Sequence, residues 1–139
     1  MAARDKIYEP VLKALDNDHW TITDDPLILG YEEIRGLVDI GAERIIGAER
    51  GSEQIAVEIK SFIGASVVQD IEGMLGQHAL YQWLLKKLQL ERRLYIAISE
   101  PVYLTIFQGK AMQELVQELQ IALVVVDLAE RRIVKWIDH

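Results

Sequence analysis

The spacing of apolar and polar residues changes period several times along the chain, and each change predicts an element. Ile7, Val11, Ala14 and Leu15 recur at helical spacing and predict a first helix from Arg4 to about Leu15, which Pro10 either kinks or starts late. Asn17-Asp18 then reads as a turn, Trp20 to Thr23 as a short strand, and Asp24-Asp25-Pro26 as its end. β-type apolar residues run from Gly36 to Arg50, Gly51-Ser52 punctuates them, and Gln54 to Phe62 follows as a second apolar strand. The pair predicts a central hairpin. Within IAVEIKSF, Ile55, Val57 and Ile59 share one face while Ala56, Glu58 and Lys60 share the other, because successive strand side chains alternate.

Helical spacing returns at Ser66-Val67-Val68-Gln69, which has the form of a capping box. Val67, Ile71, Met74, Leu75, His78, Trp83 and Leu84 then form one broad stripe, ending at Lys86-Lys87, where positive charge suits a helix C-terminus. Gly73 and Gly76 each cost that helix about 1 kcal/mol relative to alanine, so close packing against the sheet is expected there. Arg93 to Ser99 and Ile121 to Asp127 read as buried strands with a helical segment around Lys110 to Leu119 between them. A last strand, Arg132 to Ile137, follows a turn at Leu128 to Glu130. This order predicts an α/β fold with a mixed central sheet flanked by helices, as a single domain spanning residues 1–139.

Composition narrows the function. Half of the residues are hydrophobic, enough for a substantial core, yet no apolar run approaches the roughly 20 residues that span a bilayer. The N-terminus has no secretory h-region, so a cytoplasmic protein is expected. Cysteine is absent, which excludes disulfides, thiolate nucleophiles and Cys-based metal sites. His19, His78 and His139 lack ligand-like spacing, so any metal should be a hard, oxygen-liganded ion such as Mg²⁺. The net charge of −7 argues against a wide basic surface for nucleic acid, although short basic clusters stand at Lys86-Lys87, Arg92-Arg93 and Arg131-Arg132.

One constellation has the makings of chemistry. Glu58 and Lys60 point to the same strand face, and Asp39 lies on the preceding strand of the same hairpin. Phosphodiester cleavage needs carboxylates to hold a divalent cation and an ammonium group to orient the nucleophile or offset developing charge. A solvated strand face carrying Glu and Lys as a simple charge pair has the same pattern. The apolar surroundings favour the functional reading, since burying such a pair is costly without a partner or a metal. His78, Trp20, Trp83 and Trp136 are expected in the core or at an interface, Tyr81 in the core with its hydroxyl within reach of the site, and Asp24 and Asp25 in a turn with Pro26.

The segments RDKIYEPVLKAL, WTITDDPL, VDIGAERIIGAER, IAVEIKSFIGAS, GQHALYQWLL, LYIAIS and IVKWI, taken in order, resemble the XisH family of fdxN-element excision controlling factors across almost the whole chain. The resemblance implies a restriction-endonuclease-like PD-(D/E)xK fold, with a four-stranded mixed sheet flanked by helices, and a role in programmed excision of a DNA element in cyanobacteria. By that resemblance Asp39 is the acidic residue of the PD motif, Glu58 and Lys60 are its (D/E)xK pair, and Gln77 is the helix-borne polar residue that follows. Val38 stands where the namesake proline would be. Asp39 and Glu58 would ligate Mg²⁺ or Mn²⁺, and Glu9 on the first helix is a further candidate ligand. Two functions follow as expectations: a Mg²⁺-dependent DNA phosphodiesterase assisting excision, or a noncatalytic interaction module working with a partner such as XisI. DNA and a second copy of the chain are the other expected partners.

Overall fold

The computed structural model describes residues 6–47 and 51–139. The chain runs through α1 (Tyr8–Asn17), β1 (Thr21–Asp24), β2 (Leu27–Tyr31), β3 (Ile34–Val38), β4 (Ile40–Gly47) and β5 (Gly51–Ile59). It continues through α2 (Val67–Lys87), β6 (Arg92–Ser99), α3 (Glu100–Thr105), α4 (Lys110–Glu118), β7 (Ala122–Asp127) and β8 (Arg132–Ile137). Six strands form one sheet in the order β1-β4-β5-β6-β7-β8, and β2 and β3 form a separate two-stranded sheet. β5, β6 and β7 are mutually parallel, while the outer pairings β1–β4, β4–β5 and β7–β8 are antiparallel. Parallel neighbours need long crossovers, and α2 supplies one while α3 and α4 supply the other.

The alternation read from IAVEIKSF is realised. Ile55, Val57 and Ile59 join Val11, Ala14 and Leu15 of α1 in the core on one face of the sheet. Ala56, on the opposite face, packs with Tyr81 and Leu84 of α2 and with Leu27, Leu29 and Val38 of the small sheet. Beyond β6, Met74, Ile96, Ile98, Phe107, Met112 and Val116 extend that second layer over α3 and α4. No helix among the described residues is long and apolar enough to cross a membrane.

Several boundaries differ from the sequence reading. Among the described residues the first helix begins at Tyr8, with Pro10 in its first turn, where the missing N–H has no intrahelical partner to lose; residues 1–5 lie outside the description. The expected strand from Gly36 to Arg50 is two strands in two sheets, broken at Asp39. Gly51 and Ser52 do not form the expected turn but open β5, paired with Gly47 and Ile45 of β4; residues 48–50 lie outside the description. The described sheet has six strands rather than four, because β1 and β8 add an antiparallel edge on each side. Ser99 and Pro101 begin α3, a helix the strand pattern had hidden: the Val102 amide donates to the Ser99 hydroxyl at 3.3 Å. Ser66 caps α2 in the same way, accepting from the Gln69 amide at 3.3 Å.

The glycine expectation also moves. A side chain at Gly76 would meet nothing within 4 Å, and one at Gly73 only the Lys60 ammonium at 3.8 Å, so neither glycine packs on the sheet. Close approach occurs instead at Gly36 on β3, where an added Cβ would lie 2.8 Å from Leu84 Cδ1 and 3.0 Å from Tyr81 Cε1. The small hairpin therefore lies directly on α2.

Candidate functional site

Asp39 sits at the point where the chain leaves the small sheet and enters the large one. Its Oδ2 accepts a hydrogen bond from the Ile59 amide at 2.8 Å, and the Glu58 Oε1 in turn accepts from the Asp39 amide at 3.2 Å. Each carboxylate is thus held by the backbone of the other residue's segment. This crossed pair closes the C-terminal end of β5, on the face of the sheet covered by α2.

Burial and like charge act together on Glu58. It is 5% exposed, and its carboxyl is pushed up to about 8, first by desolvation and then by the neighbouring Asp39 carboxylate. The Asp39 amide and the Lys60 ammonium pull in the opposite direction without overcoming these effects. Two carboxyl groups this close share protons, so the titration belongs to the pair. A bound cation is the other way to satisfy them.

Lys60 follows the last residue of β5, and its amide donates to the Ala97 carbonyl of β6 at 3.0 Å, which fixes the chain at the sheet end. The loop after it is pinned at both sides: the Gly64 amide donates to Asp70 Oδ2 at 3.1 Å, and Phe62 meets Phe107 edge to face with centroids 5.3 Å apart. Its ammonium lies beside Gly73, where the lack of a side chain leaves the helix surface open to it.

Gln77, one turn along α2 from Gly73, is half-buried, and its Oε1 is buried without a hydrogen-bond partner. An orphaned acceptor of this kind carries a desolvation cost unless a donor reaches it. Tyr81, a further turn on, is buried, and its hydroxyl donates to the Leu37 carbonyl at 3.1 Å. Burial, followed by the Glu58 and Asp39 charges, pushes the Tyr81 phenol up to about 12, so it remains protonated and holds β3 to α2 beside the carboxylates. The sequence places Tyr81 in the core but gives no sign of this bond, because it depends on a hairpin whose first strand, β2, has no counterpart in the expected elements and whose second strand, β3, falls partly within the expected strand from Gly36 to Arg50.

The structure thus brings Asp39, Glu58 and Lys60 together, with Gln77 and Tyr81 on the helix alongside. It does not bring Glu9 to them. Glu9 lies on α1 across the sheet and pairs with Arg131, whose Nη2 is 3.0 Å from its Oε2. His78 and Trp20 are buried as expected, Trp136 is half-buried against Trp20 and Tyr95, and Trp83 is exposed against Tyr31. Asp24 ends β1 and pairs with Arg92 at 3.2 Å. No group of three or more His, Asp or Glu residues suited to a metal occurs among the described residues.

The family model described as XisH protein matches residues 1–134. The chain belongs to the XisH family. The crystal structure of an XisH family protein from Nostoc punctiforme PCC 73102, at 1.60 Å resolution, is similar with 35% identity and a TM-score of 0.86, over 96% of this chain and 100% of that one. The 1.60 Å structure of an fdxN element excision controlling factor protein from Anabaena variabilis has 36% identity and a TM-score of 0.86, over 97% of this chain and 100% of that one. No curated protein sequence matches. The XisH fold therefore includes the mixed sheet and flanking helices that carry Asp39, Glu58 and Lys60 here.

Proposed function

We propose that this chain is an excision-controlling factor with a restriction-endonuclease-like fold, acting in the cytoplasm, whose Asp39–Glu58–Lys60 site is a Mg²⁺- or Mn²⁺-dependent DNA phosphodiesterase centre. The observation that carries the reading is the crossed pair: two carboxylates, each bonded to the other segment's backbone, stand beside one ammonium group at the end of a buried strand. The similar Anabaena variabilis protein, an fdxN element excision controlling factor, supports the biological setting.

The residues suit such an ion. Asp39 and Glu58 offer hard oxygen donors, and Mg²⁺ is commonly held by one or two carboxylates, with water and substrate phosphate completing its shell. When bound, the cation supplies Lewis acidity at a phosphoryl oxygen and a more acidic water. The chain's own groups do the rest. Asp39 and Glu58 would hold the ion, the Lys60 ammonium would offset negative charge developing on the phosphate, and the Gln77 Oε1 would accept a hydrogen bond from a water positioned there. Tyr81 keeps its proton and fixes the hairpin carbonyl of Leu37.

The net charge of −7 favours a second reading, in which the chain is a noncatalytic module paired with an XisI-like excision factor or with a second copy. The cross-strand pair Ile28 and Leu37, exposed at 51% and 52% on the outer face of the small hairpin, would suit such a contact. Calorimetric titration of Mg²⁺ and Mn²⁺ into wild type and Glu58→Gln, which keeps an oxygen to meet the Asp39 amide, followed by incubation with supercoiled, nicked and branched DNA, separates the readings. The phosphodiesterase reading requires metal binding that the variant loses and metal-dependent cleavage. Metal binding without cleavage reduces the role to assistance, and absence of both leaves the interaction module.

A further inference from the structure

Beyond the carboxylates, α2 carries a second cluster at its C-terminal end. Tyr31 and Trp83 meet edge to face with centroids 5.6 Å apart, and the Lys87 ammonium lies 5.9 Å and 5.8 Å from the two rings. With Lys86 and Gln89 they surround an open cavity of about 570 Å³. Trp83 is 39% exposed. Neither lysine is ion-paired to a carboxylate among the described residues. A lysine at this position suits the helix dipole, but the dipole does not explain two adjacent cations beside a large ring left in water.

The cluster is continuous with the candidate site. Gly73, Gly76, Leu80, Trp83 and Lys87 follow one another at three- and four-residue steps on the solvent side of α2, a line that starts at the Lys60 ammonium. Nothing stands over Gly76. At about 1.5 Å per residue, Gly73 and Trp83 are about 15 Å apart, the length of about four or five stacked nucleotides.

We propose that the Tyr31–Trp83–Lys86–Lys87 cluster is a stacking site for an unpaired DNA base, with its phosphates on the two lysines and its strand running along α2 to the carboxylates. The strand's destination rests on the phosphodiesterase reading; the stacking site does not. Charge favours a single strand over a duplex. The chain is acidic and exposed Glu32 and Glu33 directly follow Tyr31, so a wide phosphate surface is repelled, whereas one strand needs an aromatic platform and few cations.

The test is fluorescence anisotropy of a labelled single-stranded oligodeoxynucleotide and of its blunt duplex, in EDTA, with wild type, Trp83→Ala and the double variant Lys86→Ala/Lys87→Ala. Manganese titration of the same proteins is a separate readout. The expected result is tighter binding of the single strand, a loss of at least about fivefold in Trp83→Ala, and unchanged manganese affinity. In the double variant the slope of log affinity against log salt should fall by about 1.4. Single-strand affinity equal in wild type and Trp83→Ala, or absent from wild type, overturns the proposal. So does a wild-type dimer that Trp83→Ala dissociates with no effect on DNA, which would make the cluster a contact between copies. Strand binding that depends on Trp83, in a protein that neither binds manganese nor cleaves, would preserve the stacking site and remove the phosphodiesterase reading. Cleavage with a strand affinity indifferent to Trp83 would do the reverse.

Discussion

Glu9 and Glu58 lie on opposite sides of the large sheet and have been driven in opposite directions. Glu9 is solvated and faces the Arg131 guanidinium, whose hydrogen bonds hold its carboxyl below the usual range. Glu58 is buried against a second carboxylate, and its pKa is raised. The first is a complete ion pair, which has little left to bind. The second is an arrangement in which burial and a like charge together favour keeping a proton, and pairs perturbed in that way cluster at functional sites.

The sharpest way to test this contrast is to remove the charge at Glu58 without changing its shape. Between the ordinary carboxylate pKa and about 8 the folded protein holds a proton on the carboxyl pair that the unfolded chain has released, so metal-free stability should fall as pH rises through that window. In urea unfolding, Glu58→Gln should flatten this slope and be more stable than wild type at pH 8, the gain being largest above the raised pKa. A wild-type stability that is level from pH 5 to 8 would sink the account of the pair. Addition of Mn²⁺ should then restore the wild type more at pH 8 than at pH 5.5, because the ion competes with the shared proton, and should do nothing for Glu58→Gln.

A smaller effect is expected where the hairpin meets the helix. Gly36→Ala places a methyl group 2.8 Å from Leu84 Cδ1, and overpacking of this kind costs about 1–3 kcal/mol, measurable as a drop in urea midpoint. If Gly36→Ala is neutral, the hairpin rides loosely on α2 and Tyr81 cannot be positioning it. The smallest effect belongs to the other glutamate. Glu9→Gln should leave Tm and metal affinity as they are, since exposed ion pairs contribute little; a metal defect in this variant would contradict its separation from the site.

Much of this is legible in the sequence alone, because it depends on local periodicity. The two-residue repeat of IAVEIKSF sets which face Glu58 takes, the Ser66 cap starts α2, and the short apolar runs 94–98 and 122–126, rich in β-branched residues, read as buried strands. What failed depended on partners far away in the chain. Residues 27–38 alternate cleanly, as LILGY and IRGLV around Glu32-Glu33, yet nothing local says that this hairpin forms its own sheet and stops at Asp39. Glu9 has the chemistry of a ligand, and only the position of Arg131 in the fold shows it to be occupied. Gly73 and Gly76 looked like packing glycines because a helix glycine usually needs a reason; the structure turns them outward and leaves the close contact to Gly36.

The crossed hydrogen bonds at Asp39 and Glu58 have one more implication. These side chains are also joinery: they fasten the seam where one sheet hands the chain to the other, so truncating either to alanine loosens the frame as well as emptying the pocket. An inactive alanine mutant would be ambiguous on that ground alone. Amide replacements, which keep an oxygen to meet the facing N–H, separate the two losses.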